Sequence, residues 1–327
     1  MEEGLVRCLA VVLEIAAAAG LRLVPRDRRD PTRTTSFGVG ELIRAALDAG
    51  AERLLIGCGD SGINDGGAGM AQALGVRFLD DRGEELGRGG GELRRLAQID
   101  CAGLDPRVAR TPIDAAVNWQ NLLLGEQGVA RMYGPQKGAT RKQVALLEAG
   151  LKTYAKRIHE VTGQCIGLQP GSGASGGLGT GLTALLGARL HPRFDIIMQY
   201  LEFEALLRNA DLVITAEGSL DDQSPLGKVP CEVARRAKRR GIPVIALAGT
   251  IGTGARKTLA QGIDAFASIL RCPCTLDEAI ADARRLLSRG AEDALRMVAV
   301  GMGLEEKADR SRSREPASNR LWFGPHV

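Results

Sequence analysis

Hydrophobic and polar positions along this chain switch between two periods. Leu54-Leu55-Ile56 is a continuous apolar run, as are the stretch from Ile113 to Val117, Leu212-Val213-Ile214 and Val244-Ile245-Ala246-Leu247. Runs of that length bounded by turn residues predict buried strands. Between them the spacing turns helical. Leu42, Ile43, Ala46 and Leu47 share one face and Gly50 follows as a stop; a helix from Ala68 to Leu74 stops at Gly75. Further helices are predicted from the 140s to about His159, over 182–190 and over 229–241. After Asp211 strands and helices alternate, ending in a helix from Leu276 to about Val300. That rhythm predicts a parallel sheet covered on both faces. The apolar block from Leu9 to Ala19, interrupted by Glu14, reads as a buried strand or helix, and the Glu, Lys, Arg, Ser and Pro of 304–327 read as a mobile basic tail.

The predicted strands deliver the chain into loops dense in glycine and polar groups. Ile56 leads into Gly57-Cys58-Gly59-Asp60-Ser61-Gly62-Ile63-Asn64-Asp65-Gly66-Gly67. Backbone N–H groups at such a turn and the positive end of the following helix suit an anion. Asp60 and Asp65 oppose a bare anion, so a divalent cation or a ligand hydroxyl reconciles them. Val117 leads into the polar cluster Asn118-Trp119-Gln120-Asn121, at the strand end where open α/β sheets place ligands. Lys137 stands in the turn Gly134-Pro135-Gln136-Lys137-Gly138, within reach of a phosphate or capping a turn. Gly171, Gly173 and Gly176 form GxGxxG in the densest loop, but Pro170 and a poor strand before it do not fit a dinucleotide fingerprint; an anion cradle at a helix start fits better. The strand ending at Thr215 delivers Glu217, Asp221, Asp222, Gln223, Ser224 and Lys228, a set suited to a metal and phosphates or, equally, to a polar loop whose lysine caps the next helix.

Composition narrows the function classes. With 327 residues, 44% hydrophobic and 25% charged, the chain has room for about two domains. Aromatics make up only 3% against 43 glycines, so the core is aliphatic and its elements approach closely. The +4 charge is concentrated near the carboxyl end and no basic stripe is interleaved with aromatics, which gives nucleic-acid binding no support. No apolar run is long enough to span a membrane. Seven scattered cysteines form neither a disulfide framework nor a CxxC site and read as free thiols in a reducing cytoplasm; Cys58 reads as a small buried residue.

Taken together the loops are more specific than any one alone. Gly59-x-Ser61-x-x-Asn64-Asp65-Gly66-Gly67-Ala68-Gly69-Met70, Gly134-Pro135-Gln136-Lys137-Gly138-Ala139-Thr140, Gly171-x-Gly173-Ala174-x-Gly176-Gly177-Leu178-Gly179 and Thr215-x-Glu217-Gly218-x-x-Asp221-x-Gln223-Ser224-x-x-Gly227-Lys228 occur in that order. In this the chain resembles the bacterial type I glycerate kinase family, from about Ala10 to about Val298. The resemblance implies two α/β domains, one doubly wound and flavodoxin-like, the other mixed, with the active site in the cleft between them. Expected boundaries are 1–195 for the mixed domain, 196–303 for the flavodoxin-like domain and 304–327 for the tail. It also implies transfer of the γ-phosphate of ATP, with Mg²⁺, to a hydroxyl of D-glycerate, giving 2-phosphoglycerate or 3-phosphoglycerate.

On that resemblance Asp65, Asp221 and Lys228 are expected to be catalytic. Either aspartate orients or deprotonates the hydroxyl while the other favours Mg²⁺. Ser61, Asn64, Gly66, Gly67, Lys137, Gly171, Gly173, Gly176, Gly177, Glu217, Gln223 and Ser224 are expected to hold substrate or phosphate. There are departures. Asp60 stands where the family often has Gly, Ser219 where it often has Arg, and Asn118-Trp119 where it often has Asp-Val. The family's opening strand with Asp-Ser-Phe-Lys and its Asp-Gly-Gly-Glu-Gly loop have no counterpart, so an upstream start is expected. The alternative is a non-catalytic remnant that binds a small hydroxy acid or a nucleotide.

Overall fold

The computed structural model describes residues 9–312, and the chain divides after Leu201 into two compact α/β units. In the first, β1 (Ala10–Glu14), β2 (Arg53–Gly57), β5 (Ile113–Val117) and β6 (Arg189–Pro192) form an all-parallel sheet in that order, with β3 (Arg77–Leu79) and β4 (Gln98–Asp100) a separate antiparallel pair. Every residue of β5 is buried, as a central strand covered on both faces requires. By contrast β1 is an edge strand with Val12 67% exposed, so the buried element expected there is corrected.

Helices α1 (Ala16–Ala19), α2 (Phe37–Asp48), α3 (Ala68–Ala73), α4 (Val129–Tyr133), α5 (Arg141–Thr162), α6 (Ala174–Ala184) and α7 (Arg193–Tyr200) complete the first unit. The longest, α5, starts at a reciprocal capping box between Thr140 and Gln143 and ends at Gly163 in the left-handed conformation. Its Leu147, Leu151, Tyr154 and Ile158 are fully buried at i, i+4, i+7 and i+11. The helix expected over 182–190 is displaced. α6 ends at Ala184, and Arg189–Pro192 pairs with β5 as a strand. Ile196 on α7 packs with Leu55 and Ala116. α7 therefore belongs to the first unit, and the division falls after Leu201 instead of after 195.

The second unit carries α8 (Phe203–Leu206), β7 (Val213–Leu220), α9 (Val229–Lys238), β8 (Val244–Ile251), β9 (Ala265–Ser268), α10 (Leu276–Ala281) and α11 (Ala283–Arg312). β7, β8 and β9 are parallel neighbours in that order, around a core of Leu220, Cys231, Ala234, Ala237, Val244, Ala246 and Ala248. The last helix runs through Arg312, past the Gly303 at which the tail was expected to begin; the rest of that expectation, 313–327, lies outside the described residues.

Candidate active site

The four parallel strands of the first unit open at their carboxyl ends onto one cleft of about 390 Å³. Leu21 and Arg22 follow β1 and α1, Cys58 to Ser61 follow β2, Asn118 and Asn121 follow β5, and Arg193 follows β6. Val129 and Tyr133 of α4 and Gln136, Lys137, Ser175 and Gly176 complete the lining. A ligand site at the carboxyl ends of parallel strands is where the topology leaves loops converging. Two of the three described non-glycine residues with positive φ, Asp60 (46°) and Ser175 (51°), line it. Such backbone strain persists where the surroundings hold it, commonly at functional sites.

The loops are tied to one another as well as to the strands. Leu21 N–H donates to Asp60 O at 2.8 Å, and Gly62 N–H to Ala19 O at 2.8 Å. The loop after β2 and the start of α6 approach backbone to backbone: Gly66 N–H donates to Gly176 O at 3.0 Å and Gly181 N–H to Gly66 O at 3.2 Å. Gly176 has φ of 74°, and a Cβ there would sit 2.0 Å from the Ile63 carbonyl oxygen, so only glycine fits. Several of the N–H groups expected to form an anion cradle have partners within the chain. Gly66 donates to Gly176, Gly67 to Asp65, Gly173 to Asn121 O and Gly177 to Gly173 O, while Gly171 packs on Val117. Of the expected glycines, only Gly176 lines the cleft.

Asp65, expected as base or magnesium ligand, is 1% exposed and both its carboxylate oxygens accept hydrogen bonds. Oδ2 accepts from Ser36 N–H (2.7 Å), Ser36 Oγ (2.9 Å), Thr35 Oγ1 (3.2 Å) and Gly69 N–H (3.3 Å), and Oδ1 from Gly67 N–H (3.2 Å). Ser36 precedes α2, and Gly67 and Gly69 open α3, so the carboxylate joins the amino ends of two helices whose dipoles favour its charge. It positions the loop. Asn64 is also 1% exposed and neither amide atom has a partner, which leaves hydrogen-bonding capacity unused beside Gly176.

Lys137 is 3% exposed, and its Nζ donates to Ile63 O at 2.6 Å and to Ser61 Oγ at 3.1 Å. Burial pushes its ammonium down to about 8, against the opposing pull of the Asp65 charge. Cys58, half-buried on the loop after β2 that also carries Ser61, has its thiol pushed up to about 12 by burial.

The remaining expected residues gather in the second unit. Lys228 Nζ lies 3.0 Å from Glu217 Oε1 and 3.1 Å from Asp221 Oδ1. The lysine lowers the Asp221 carboxyl below its ordinary value; burial pulls the Lys228 ammonium down, but its hydrogen bonds to Glu217 and Asp221 outweigh that and raise it. Gln223 N–H donates to Asp221 Oδ1 at 2.9 Å, and Ser224 Oγ accepts from Asp221 N–H at 3.1 Å. Those two expected ligands therefore brace the aspartate. Among the described residues no group of three or more His, Cys, Asp or Glu forms a metal cage. Two carboxylates on one lysine nevertheless fit a Mg²⁺ that arrives with phosphates and keeps most of its waters.

Arg22, Arg193 and the Thr35–Ser36 clasp were not foreseen, and Tyr133 was read only as the opening of the turn-rich stretch before Gly134. No local pattern marks them except that Arg193 follows a strand, and β6 has no apolar run to reveal it. Among the described residues no helix is long and apolar enough to cross a membrane.

The architecture has known relatives. A model of the glycerate kinase family matches residues 4–299. The chain is 46% identical to the glycerate kinase of Halalkalibacterium halodurans over 282 residues, 86% of this chain and 74% of that one. It is 44% identical to the glycerate 2-kinase of Escherichia coli over 290 residues, 89% and 76% of the two chains. A crystal structure of a protein from Salmonella typhimurium LT2, provisionally named glycerate kinase 2, superposes with a TM-score of 0.80 at 42% identity, covering 90% of this chain and 77% of the other. With the family model matching residues 4–299 and relatives at 44–46% identity over most of the chain, this chain belongs to the glycerate kinase family, a family of phosphotransferring enzymes.

Proposed function

We propose that this enzyme transfers the γ-phosphoryl group of ATP to the 2-hydroxyl of D-glycerate, giving 2-phosphoglycerate. The observation that carries the reading is the cleft at the carboxyl ends of β1, β2, β5 and β6, whose lining of Ser61, Lys137, Asn118, Asn121, Arg22 and Arg193 suits a small hydroxy acid. Arginine at the rim meets the substrate carboxylate, and the asparagines meet its hydroxyls. The name of the Escherichia coli relative supports the 2-position. In the second unit taken by itself, Lys228 with Glu217 and Asp221 has the charges to meet phosphate oxygens. A Mg²⁺ bound with the nucleotide would be held by Asp221 and Glu217 and would offset charge on the phosphoryl oxygens.

The test is an ATP-consumption assay with D-glycerate and Mg²⁺, its product presented to enolase alone, which takes 2-phosphoglycerate and not the 3-isomer. Signal in both assays supports the reading. ATP consumption without enolase turnover moves the phosphoryl group to the 3-hydroxyl, and glycerate binding without ATP consumption replaces the kinase by a binding protein.

A further inference from the structure

We propose that Ser61 and Lys137 form the proton-accepting pair for the hydroxyl that is phosphorylated, Ser61 touching the substrate and Lys137 standing behind it; this rests on the glycerate-phosphorylating reading above. Ser61 is 7% exposed and lines the cleft, and Lys137 Nζ lies 3.1 Å from its Oγ. The Ile63 carbonyl, 2.6 Å from the same nitrogen, fixes the direction of one N–H. A neutral amine has two N–H bonds and one lone pair. With one N–H on Ile63, the lone pair can take the Ser61 O–H, and the serine oxygen is then open to accept from a substrate hydroxyl.

Of the carboxylates expected to act, neither Asp65 nor Asp221 fills the role. Asp65 is engaged by five donors, and Asp221, in the other unit, is a weakened base because Lys228 holds its carboxyl below the ordinary range. Lys137 has no carboxylate within ion-pair distance among the described residues, so only the neutral oxygens of Ile63 and Ser61 are in contact with its charge. The charged and titratable groups around it are Asp60 and Cys58 on the loop after β2, Asp65 further along that loop, Tyr133 on α4, Arg29 against Gly138, and Arg22 and Arg193 at the rim. Burial pushes the ammonium down to about 8 against the opposing pull of Asp65, so the neutral amine is populated near neutral pH.

In the step, the substrate oxygen forms its bond to the γ-phosphorus as the bond from that phosphorus to the bridging oxygen breaks, and ADP leaves with the electron pair. The substrate proton passes to Ser61 Oγ while the Ser61 proton passes to Lys137 Nζ. After product release the ammonium returns its proton to water.

Two measurements on the full chain test this. In a ¹³Cε-lysine NMR titration, with the Lys137 resonance identified by its loss in Lys137→Met and in Lys137→Arg, the midpoint is expected near 8, against about 10.4 for ordinary lysines. A midpoint in the ordinary range overturns the pair whether or not the protein phosphorylates glycerate. In kinetics, Ser61→Ala is expected to lower kcat by about 10²–10⁴-fold with KM for D-glycerate little changed, Ser61→Thr to recover part of it, and wild-type kcat/KM to rise with pH at the NMR midpoint. Wild-type kcat in Ser61→Ala, or loss of that pH limb in Asp60→Asn alone, overturns the proposal. A shifted resonance in a protein that phosphorylates no glycerate sinks the substrate reading and keeps the pair as an activated serine.

Discussion

Replacing Gly176 by alanine should damage the first unit far more than the same change at Gly163, although the two share a backbone conformation. Both are left-handed, with φ of 74° and 72°, so each alanine carries a conformational cost of about 1–2 kcal/mol. At Gly163, beyond the last turn of α5, a Cβ meets nothing within 4 Å, and the conformational cost is the whole effect. At Gly176 it sits 2.0 Å from Ile63 O, whereas ordinary C···O contacts begin near about 3.3 Å. The two loops must part by roughly 1 Å, an overpacking cost of about 1–3 kcal/mol, with loss of the Gly66 N–H to Gly176 O bond adding about 1 kcal/mol. The expected total is about 3–6 kcal/mol. For a unit of this size, where 1 kcal/mol moves Tm by about 2–4 °C, that is a drop of roughly 10 °C or more, against a few degrees for Gly163→Ala. Thermal and urea unfolding followed by far-UV circular dichroism read both variants. Equal losses would refute the idea that the close approach of the two glycine loops builds the cleft.

Asp65→Asn puts an N–H₂ group among five donors and should cost about 2–4 kcal/mol of stability, which urea midpoints measure; a variant as stable as the parent would restore Asp65 as a candidate base. Lys137 titrates near 8 folded and about 10.5 unfolded, so the unfolded chain binds more protons between those values and stability should rise with pH there. Relative to Lys137→Met, the wild type should gain up to about 3 kcal/mol across that window in urea midpoints at successive pH values, and parallel curves would contradict the buried-amine reading. Cys58 should resist iodoacetamide at pH 8 while the exposed Cys165, Cys272 and Cys274 react, as peptide mass mapping would reveal; rapid labelling of Cys58 would disprove the burial argument.

Elements whose apolar residues face the core along their whole length were legible in the chain. β2, β5 and β8 are such runs, and α5 repeats its buried face from Leu147 to Ile158 between a capping box and a glycine stop. β6 was not. Arg189-Leu190-His191-Pro192 sits at the sheet edge, where burial does not impose apolar residues, and its pairing with β5 is a tertiary choice. The same holds for the left-handed turn at Ser175, Gly176 and Gly177, which the glycine-rich motif from Gly171 to Gly179 allowed but did not dictate.

For the site, sequence alone singled out loops whose residues line the cleft, because strand ends must deliver polar groups where the backbone leaves the sheet. Tertiary structure decided which polar groups are open to a ligand. Asp65 met Thr35 and Ser36, 30 and 29 residues away, and became a clasp between two helices. Lys137 met Ser61, 76 residues away, and lost the water that would keep it charged. Spacing reports covalent neighbourhood, while solvation and hydrogen-bond competition act through space, and those set the charge and the free lone pairs of each side chain.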